Sequence, residues 1–264
     1  AGIGQVLVPL VAAALVMAYG WRHACLLIGI VALIVIVATA QLMRRDPAGL
    51  GLRPLGAEKN GTDAVEHTAD GLNLKEAIAR RQFWILCLAK LSDMFCLFTI
   101  VTHIVPHSID QGLTHSVAVM VLSTIGGCSI LGRILLGATF DRLSARFSLM
   151  VCFALLLTSL ILLQTSNDPR LLFLFALIYG VAHGGFFAIA SPSVANYFGT
   201  RSHGMIFGIV FFAGTLGGTV GPLLSGRIFD LTGSYDIAFL LLTGFAVFGL
   251  LLASGLRPLM AVSQ

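Results

Sequence analysis

Apolar residues fill long runs of this chain, and short polar stretches separate the runs. About 20 consecutive apolar residues suffice for a helix to cross the hydrocarbon core of a bilayer. Glycine and proline recur within the runs, and membrane helices tolerate both residues. The pattern predicts an all-α polytopic membrane protein with eight transmembrane helices, at roughly 2–18, 21–43, 82–105, 116–139, 147–164, 170–190, 204–224 and 235–256.

One long polar segment, residues 44–81, separates the first two apolar runs from the other six. It contains two prolines, five glycines and seven of the 16 Lys and Arg residues. We interpret it as a hydrophilic loop with a short amphipathic helix near LNLKEAIARR. Because Lys and Arg concentrate in cytoplasmic loops, this loop and the C-terminus are expected in the cytoplasm.

Composition supports a membrane protein and excludes several other classes. Only 11% of the 264 residues are charged and 57% are hydrophobic, with a mean hydropathy of +0.95. A soluble domain carries about a quarter charged residues. The net charge of +4 fits positive loops rather than nucleic-acid binding. The five cysteines lie in apolar runs without CxxC spacing, so we predict buried thiols, no metal site and no cofactor.

Two stretches of the chain repeat each other, GRILLGATFDRLS from Gly132 and GPLLSGRIFDLTG from Gly221. The shared positions are Gly132 and Gly221, Leu135 and Leu224, Gly137 and Gly226, Phe140 and Phe229, and Asp141 and Asp230. Three predicted spans separate the copies, and an odd number of spans inverts the second copy in the membrane. Such inverted repeats are typical of secondary transporters.

A second match relates segments six spans apart, which therefore run parallel. Gly4, Pro9 and Gly20 align with Gly217, Pro222 and Gly233. Three-span inverted repeats nested within parallel six-span halves characterise one class of transporter.

Three segments carry a resemblance to a known family: GATFDRLSAR, YGWRHACLLIGI and MRRDPAGLGLRPLG. They resemble the major facilitator superfamily, in its monocarboxylate and oxalate/formate branch. The resemblance implies helices 5 to 12 of a twelve-helix fold. Residues 1–43 would be the last two helices of the N-terminal half, 44–81 the cytoplasmic interdomain loop and 82–264 the C-terminal half. It also implies that about a third of the full protein, the first four helices, lies before Ala1.

The loop motif of that family corresponds here to four residues, Gly137, Asp141, Arg142 and Arg146. Ser144 and Ala145 stand where the family pattern has Gly and Arg, so this copy departs from the motif. The resemblance implies a conformational latch that bonds helix ends in one access state and does not touch substrate.

Ionisable residues inside predicted spans are candidate functional groups, because a charge in the membrane is costly unless it is paired or faces water. Arg133 lies about two turns from Asp141, and its planar guanidinium matches a carboxylate. The resemblance implies that Arg133 anchors a substrate carboxylate, although a structural ion pair would also explain it. The repeat places Pro222, and no charge, at the equivalent position.

Four further residues are candidates for a substrate or proton site. Lys90 and Asp93, three residues apart, are close enough on one helix to neutralise each other, and Asp93 could carry a coupling proton. His103 could serve proton-coupled uptake or form an interfacial polar cap, and His183 could line the cavity or bond across helices. We expect His107 to cap a helix end broken by Pro106. Phe186 and Phe187 are expected to pack rather than to close over substrate.

The expected function is secondary transport of a small organic anion, most simply a monocarboxylate, by alternating access with proton symport or anion exchange. The alternatives are an exporter of drugs or other metabolites, in which Arg133 is structural, and a sensor that binds without transporting. No GxxxxGK[ST], GxSxG or HExxH motif occurs, so neither an ATP-driven pump nor an enzyme is expected. The expected location is a bacterial inner membrane.

Overall fold

The computed structural model describes residues 2–42, 71–140, 144–165 and 168–257. These residues form eight α-helices and, within the described ranges, no β-strand. The helices are α1 (Gly2–Leu42), α2 (Leu74–Ile78), α3 (Arg81–Asp110), α4 (His115–Phe140), α5 (Ala145–Thr165), α6 (Pro169–Phe198), α7 (His203–Thr232) and α8 (Asp236–Ser254). The prediction of an all-α polytopic protein is confirmed.

Seven of the helices in the described ranges are long and apolar enough to cross a membrane, where the sequence predicts eight spans. The difference lies in α1, which covers the first two predicted spans without an intervening loop. Gly20 interrupts its helical geometry with φ 74° and ψ 161°. A side chain is disfavoured at that φ, so glycine allows the chain to break between two helical segments at this point.

Three helices continue through a proline near which the sequence predicts an end. Helix α3 passes Pro106 and runs to Asp110, and α6 and α7 likewise contain Pro192 and Pro222. The expectation that Pro106 breaks the helix beside His103 and His107 is therefore wrong. A proline removes one backbone hydrogen bond, and packing against neighbouring helices keeps the rest of a membrane helix intact.

The predicted short helix before α3 is confirmed as α2. Asn73 caps it reciprocally with Glu76: the Glu76 N–H donates to Asn73 Oδ1 at 3.0 Å, and the Asn73 N–H donates to Glu76 Oε2 at 2.8 Å. The preceding residues lie against the end of α6, where the Leu72 N–H donates to the Phe198 carbonyl at 2.8 Å. The start of α3 and the end of α6 therefore share one end of the bundle, here called the Arg81 end.

The chain divides into two compact units, residues 1–10 with 69–264, and residues 11–68. Within the first unit, α4 packs most extensively against α6, and α3 against α7, while α5 contacts α6 and α8. The apolar core lies among these helices and includes large buried rings such as Phe83, Phe153, Phe175 and Tyr179. The division into 1–43, 44–81 and 82–264 stays a prediction.

Glycines allow the backbones of the two main helix pairs to approach closely. On α4, a Cβ atom at Gly132 would overlap the Val181 carbonyl of α6. On α7, a Cβ atom at Gly221 would lie 2.6 Å from the Phe95 carbonyl of α3. Small residues at helix crossings are typical of membrane proteins, where packing replaces the hydrophobic effect as the driving force.

Candidate functional site

A buried ion pair lies on α3, at the spacing predicted from the sequence. Lys90 Nζ donates to Asp93 Oδ2 at 2.7 Å, and the side chains are only 8% and 1% exposed. One turn of helix separates the two residues, so the pair forms within α3 itself. Because each charge is costly to bury alone, removal of either partner would leave an unfavourable charge in the core.

An aromatic ring on α6 brings Lys90 and Arg133 to one place. Lys90 Nζ lies 5.3 Å from the centre of the Phe187 ring, and Arg133 Cζ lies 5.6 Å from the same centre. Lys90 Nζ is also 5.4 Å from the Phe211 ring of α7. These distances are within the range of cation–π interactions. The structure therefore joins the predicted residues of α3 and α4 through rings on α6 and α7.

Arg133 reaches this ring because α4 and α6 cross closely beside it. A Cβ atom at Gly184 would overlap the Ser129 carbonyl and lie 2.9 Å from the Arg133 backbone nitrogen. Only glycine permits this approach of the two backbones. Gly184 lies one turn of α6 before Phe187, so the approach brings Arg133 close to the Phe187 ring. The Arg133 side chain is half-buried.

His183 belongs to the same cluster. Its side chain is 4% exposed, and its ring centre lies 5.3 Å from that of Phe187 and 6.2 Å from that of Tyr179. We call Lys90, Asp93, Arg133, His183, Phe187 and Phe211 the cation cluster. Four of its six members are residues predicted as substrate-binding from the sequence.

The structure places the fifth predicted residue, His103, in a different environment. Its Nε2–H donates to the Pro222 carbonyl of α7 at 3.0 Å, and its Nδ1 accepts from the Tyr235 hydroxyl at 3.2 Å. Both ring nitrogens are thus used between α3, α7 and the start of α8. His107 is buried nearby, 3.0 Å from the Gln111 side chain and edge-on to the Phe239 ring.

The predicted latch is only partly within the described residues. Asp141 and Arg142 lie outside them. Gly137 faces α6, where an added Cβ would be 3.8 Å from the Ala188 Cβ, an ordinary contact. Arg146 is exposed on the first turn of α5.

Sequence reasoning missed the two aromatic members of the cluster. Phe186 does pack, edge-on against Phe153 with ring centres 4.8 Å apart, whereas its neighbour Phe187 faces the cations. Nothing in a run of two phenylalanines distinguishes them. The only local signal is the spacing of four from His183 to Phe187, which places both on one face of α6.

A cluster of charged residues buried between apolar helices is typical of membrane transport proteins. The chain belongs to the Major Facilitator Superfamily, whose family model matches residues 1–164 and 128–263. The protein is therefore an integral membrane protein of a transporter family.

Several of the relatives are named as monocarboxylate transporters. Monocarboxylate transporter 12 of Rattus norvegicus is 28% identical over 271 residues, which cover 93% of this chain and 55% of that protein. Monocarboxylate transporter 11 of Mus musculus is 26% identical over 249 residues, covering 90% and 53%. The chain thus spans about half the length of the relatives it matches.

A solved structure supports the fold independently. A bacterial homologue of the human lysosomal transporter Spinster, in an inward-facing and unoccupied conformation, superposes with a TM-score of 0.62 at 14% identity. The match covers 96% of this chain and 67% of that one. At this identity the likeness concerns the fold alone.

Proposed function

We propose that this chain forms part of a secondary transporter that moves small organic anions of the monocarboxylate type by alternating access. The observation that carries the proposal is the Phe187 ring, which lies 5.3 Å from Lys90 Nζ and 5.6 Å from Arg133 Cζ. A cation beside an aromatic ring suits a small anion that has a carboxylate at one end and an apolar group at the other. The carboxylate pairs with the cation, and the apolar remainder packs on the ring.

Arg133 is the proposed substrate anchor. Its guanidinium presents parallel N–H groups that bind both oxygens of a carboxylate, which a lysine ammonium cannot do. His183 lines the same site. The names of the relatives favour a monocarboxylate, but this chain spans only about half of them, so the substrate is part of the proposal.

The ion pair is the proposed coupling element. Asp93 takes up a proton in the symport mechanism, which releases Lys90 for the substrate carboxylate; in an exchange mechanism the pair stays closed. Proton-driven uptake is distinguished from exchange by imposing a pH gradient on proteoliposomes with and without internal substrate.

Alternating access needs two six-helix halves. In this proposal residues 82–264 supply one half, 1–43 the end of the other, and 44–81 the connecting cytoplasmic loop. Four further helices would then be encoded upstream of Ala1. Sequencing the upstream coding region tests this directly, and fewer than four additional spans contradict it.

The latch is proposed at the Arg81 end, which the positive-inside pattern orients toward the cytoplasm. Gly137 lies on α4 beside α6, and in this proposal Asp141, Arg142 and Arg146 bond helix ends in one access state. Reaction of single cysteines in this turn with a membrane-impermeant thiol reagent tests the orientation in cells.

Uptake by Arg133 variants tests the substrate role. We expect Arg133→Ala to abolish uptake of labelled lactate or pyruvate, and Arg133→Lys to raise KM about tenfold because the bidentate geometry is lost. Arg227→Ala, which removes an exposed arginine from α7, is the matched control. Uptake of normal affinity by Arg133→Ala would show that Arg133 does not anchor substrate.

One observation favours a second candidate, an exporter of drugs or other metabolites in which Arg133 is structural. The Arg133 backbone lies at the close crossing of α4 and α6 next to Gly184, where a side chain can brace two helices. In that case Arg133→Ala lowers thermal stability but leaves the affinity for a neutral export substrate unchanged.

A further inference from the structure

A small cavity lies between the ion pair and the Arg81 end of the bundle. Its volume is about 30 Å³, and residues of α3, α5, α6 and α7 line it. Most of the lining is apolar, and the three polar lining residues are Lys90, Asp93 and Ser193. The lining, drawn from the described residues, includes neither Arg133 nor Phe187. The cavity therefore approaches Asp93 from a side other than the proposed anchor.

Two buried oxygen atoms among the lining residues have no hydrogen-bond partner within the described part of the chain. They are Asp93 Oδ1 and Ser193 Oγ, and their side chains are 1% and 2% exposed. The other carboxylate oxygen, Oδ2, is already bound by Lys90. Buried oxygens without partners are unfavourable, and internal water commonly satisfies them.

Other titratable groups near Asp93 are occupied elsewhere or lie apart from the cavity. The Cys96 thiol of α3 donates to the Leu242 carbonyl at 3.4 Å, and the Tyr179 hydroxyl of α6 donates to the Leu97 carbonyl at 3.1 Å. Cys152 on α5 packs against Gly185. Arg133 on α4 and His183 on α6 adjoin Phe187, and α7 contributes the rings of Phe207 and Phe211.

We propose that this cavity binds one or two ordered water molecules, which hydrogen bond to Asp93 and Ser193 and form the inner part of a proton path on the Arg81 side of the ion pair. One water needs roughly 10–15 Å³ of such volume, so the cavity has room for about two. It is too small for an organic anion. A metal ion is disfavoured because the Lys90 ammonium adjoins the carboxylate and the walls offer few oxygen ligands. The water site stands alone, whereas the proton path rests on the proposed transport function.

Radiolytic hydroxyl-radical footprinting of the complete protein tests the water site. Radicals formed from bound water oxidise adjacent side chains, so we expect label on Phe153, which is 0% exposed but lines the cavity. Phe175, equally buried but not among the lining residues, is the internal control. Absence of label on Phe153 in the wild type overturns the proposal.

Two variants test whether the bound water delivers protons to the ion pair. Ala190→Val fills the cavity and leaves its polar groups intact, whereas Ser193→Ala removes a partner and leaves the space. We expect Ala190→Val to lose the Phe153 label, and both variants to lower proton-driven uptake about tenfold while substrate exchange at equal pH persists. Ser148→Ala, which removes a buried hydroxyl outside the cavity lining, should change neither.

The outcomes separate the water path from the proposed function. Loss of label with undiminished proton-driven uptake overturns the path. Label without any proton-driven uptake in the wild type overturns the coupling proposal and the path, but leaves the water site in place. If Ala190→Val does not fold, as judged by gel filtration, Ser193→Ala decides the transport result.

Discussion

The two closely packed helix pairs, α4 with α6 and α3 with α7, are copies of one arrangement. Helix α7 repeats α4 when Gly221 is aligned with Gly132, and α6 repeats α3 when Pro192 is aligned with Pro106. The contacts repeat with them. Gly132 approaches Val181 in one pair, as Gly221 approaches Phe95, the equivalent of Val181, in the other.

Two more contacts obey the same equivalence. Gly184 meets Ser129 in the first pair, and Phe98 meets Gly218 at the matching place in the second. Gly180 meets Ile125, and Met94 meets Gly214. In these two contacts the glycine lies on α6 in the first pair and on α7 in the second, and the two helices approach each other at the same place in both pairs. The internal repeat therefore describes backbone packing.

The chemistry does not follow the repeat. Arg133 of α4 corresponds to Pro222 of α7, and His183 and Phe187 of α6 correspond to Leu97 and Val101 of α3. The cation cluster consists of residues that break the symmetry. Residues at equivalent positions of the two pairs form the helix packing, whereas residues that differ between the pairs form the candidate site.

The largest expected effect comes from separating the buried ion pair, which one copy has and the other lacks. Asp93→Leu leaves Lys90 charged and unpaired in the core, at a cost of about 3–5 kcal/mol. Most of the protein should then fail to fold, as measured by fluorescence-detected gel filtration. The double variant Lys90→Met with Asp93→Leu is the control, because it removes both charges and should recover folding without recovering transport. Equal folding of the single and double variants would contradict a buried, mutually dependent pair.

The glycine crossings are expected to be next in size. Gly132→Ala and Gly221→Ala each force a Cβ atom against a backbone carbonyl, so we expect a loss of about 1–3 kcal/mol in each pair. Gly208→Ala on α7 is the matched control, since an added Cβ has no neighbour within 4 Å there. Thermal unfolding in detergent measures all three. A large loss in only one pair would break the equivalence of the two crossings.

Sequence reasoning anticipated the features that depend on local spacing. Glycine, phenylalanine and aspartate at fixed offsets indicated the repeat, and a separation of three predicted the Lys90–Asp93 pair. It could not anticipate Phe187, because the choice between adjacent rings depends on how α6 is rotated against α3 and α4. The environment of His103 was missed for the same reason, since its partners lie 119 and 132 residues away.

Phe187 should affect transport more than stability. Phe187→Leu keeps an apolar side chain but removes the ring that both cations face, so we expect KM for a monocarboxylate to rise about three- to tenfold. Phe186→Leu is the matched control, because the neighbouring ring packs against Phe153; KM is measured by exchange at equal pH, which does not depend on the cavity that Phe186 lines. A larger effect on KM from Phe186 than from Phe187 would exchange the roles assigned to the two rings.

His103 provides the smallest expected effect and a test of the asymmetry between the pairs. Its bond to the Pro222 carbonyl occupies the place in the second pair that corresponds to Arg133 in the first. His103→Leu loses that bond and the one from Tyr235, which should lower stability by about 1–2 kcal/mol. His103→Gln retains a donor and should recover about half of the loss. KM should stay unchanged in both variants, since His103 lies apart from the cation cluster; a rise in KM without loss of stability would instead extend the substrate site into the second pair.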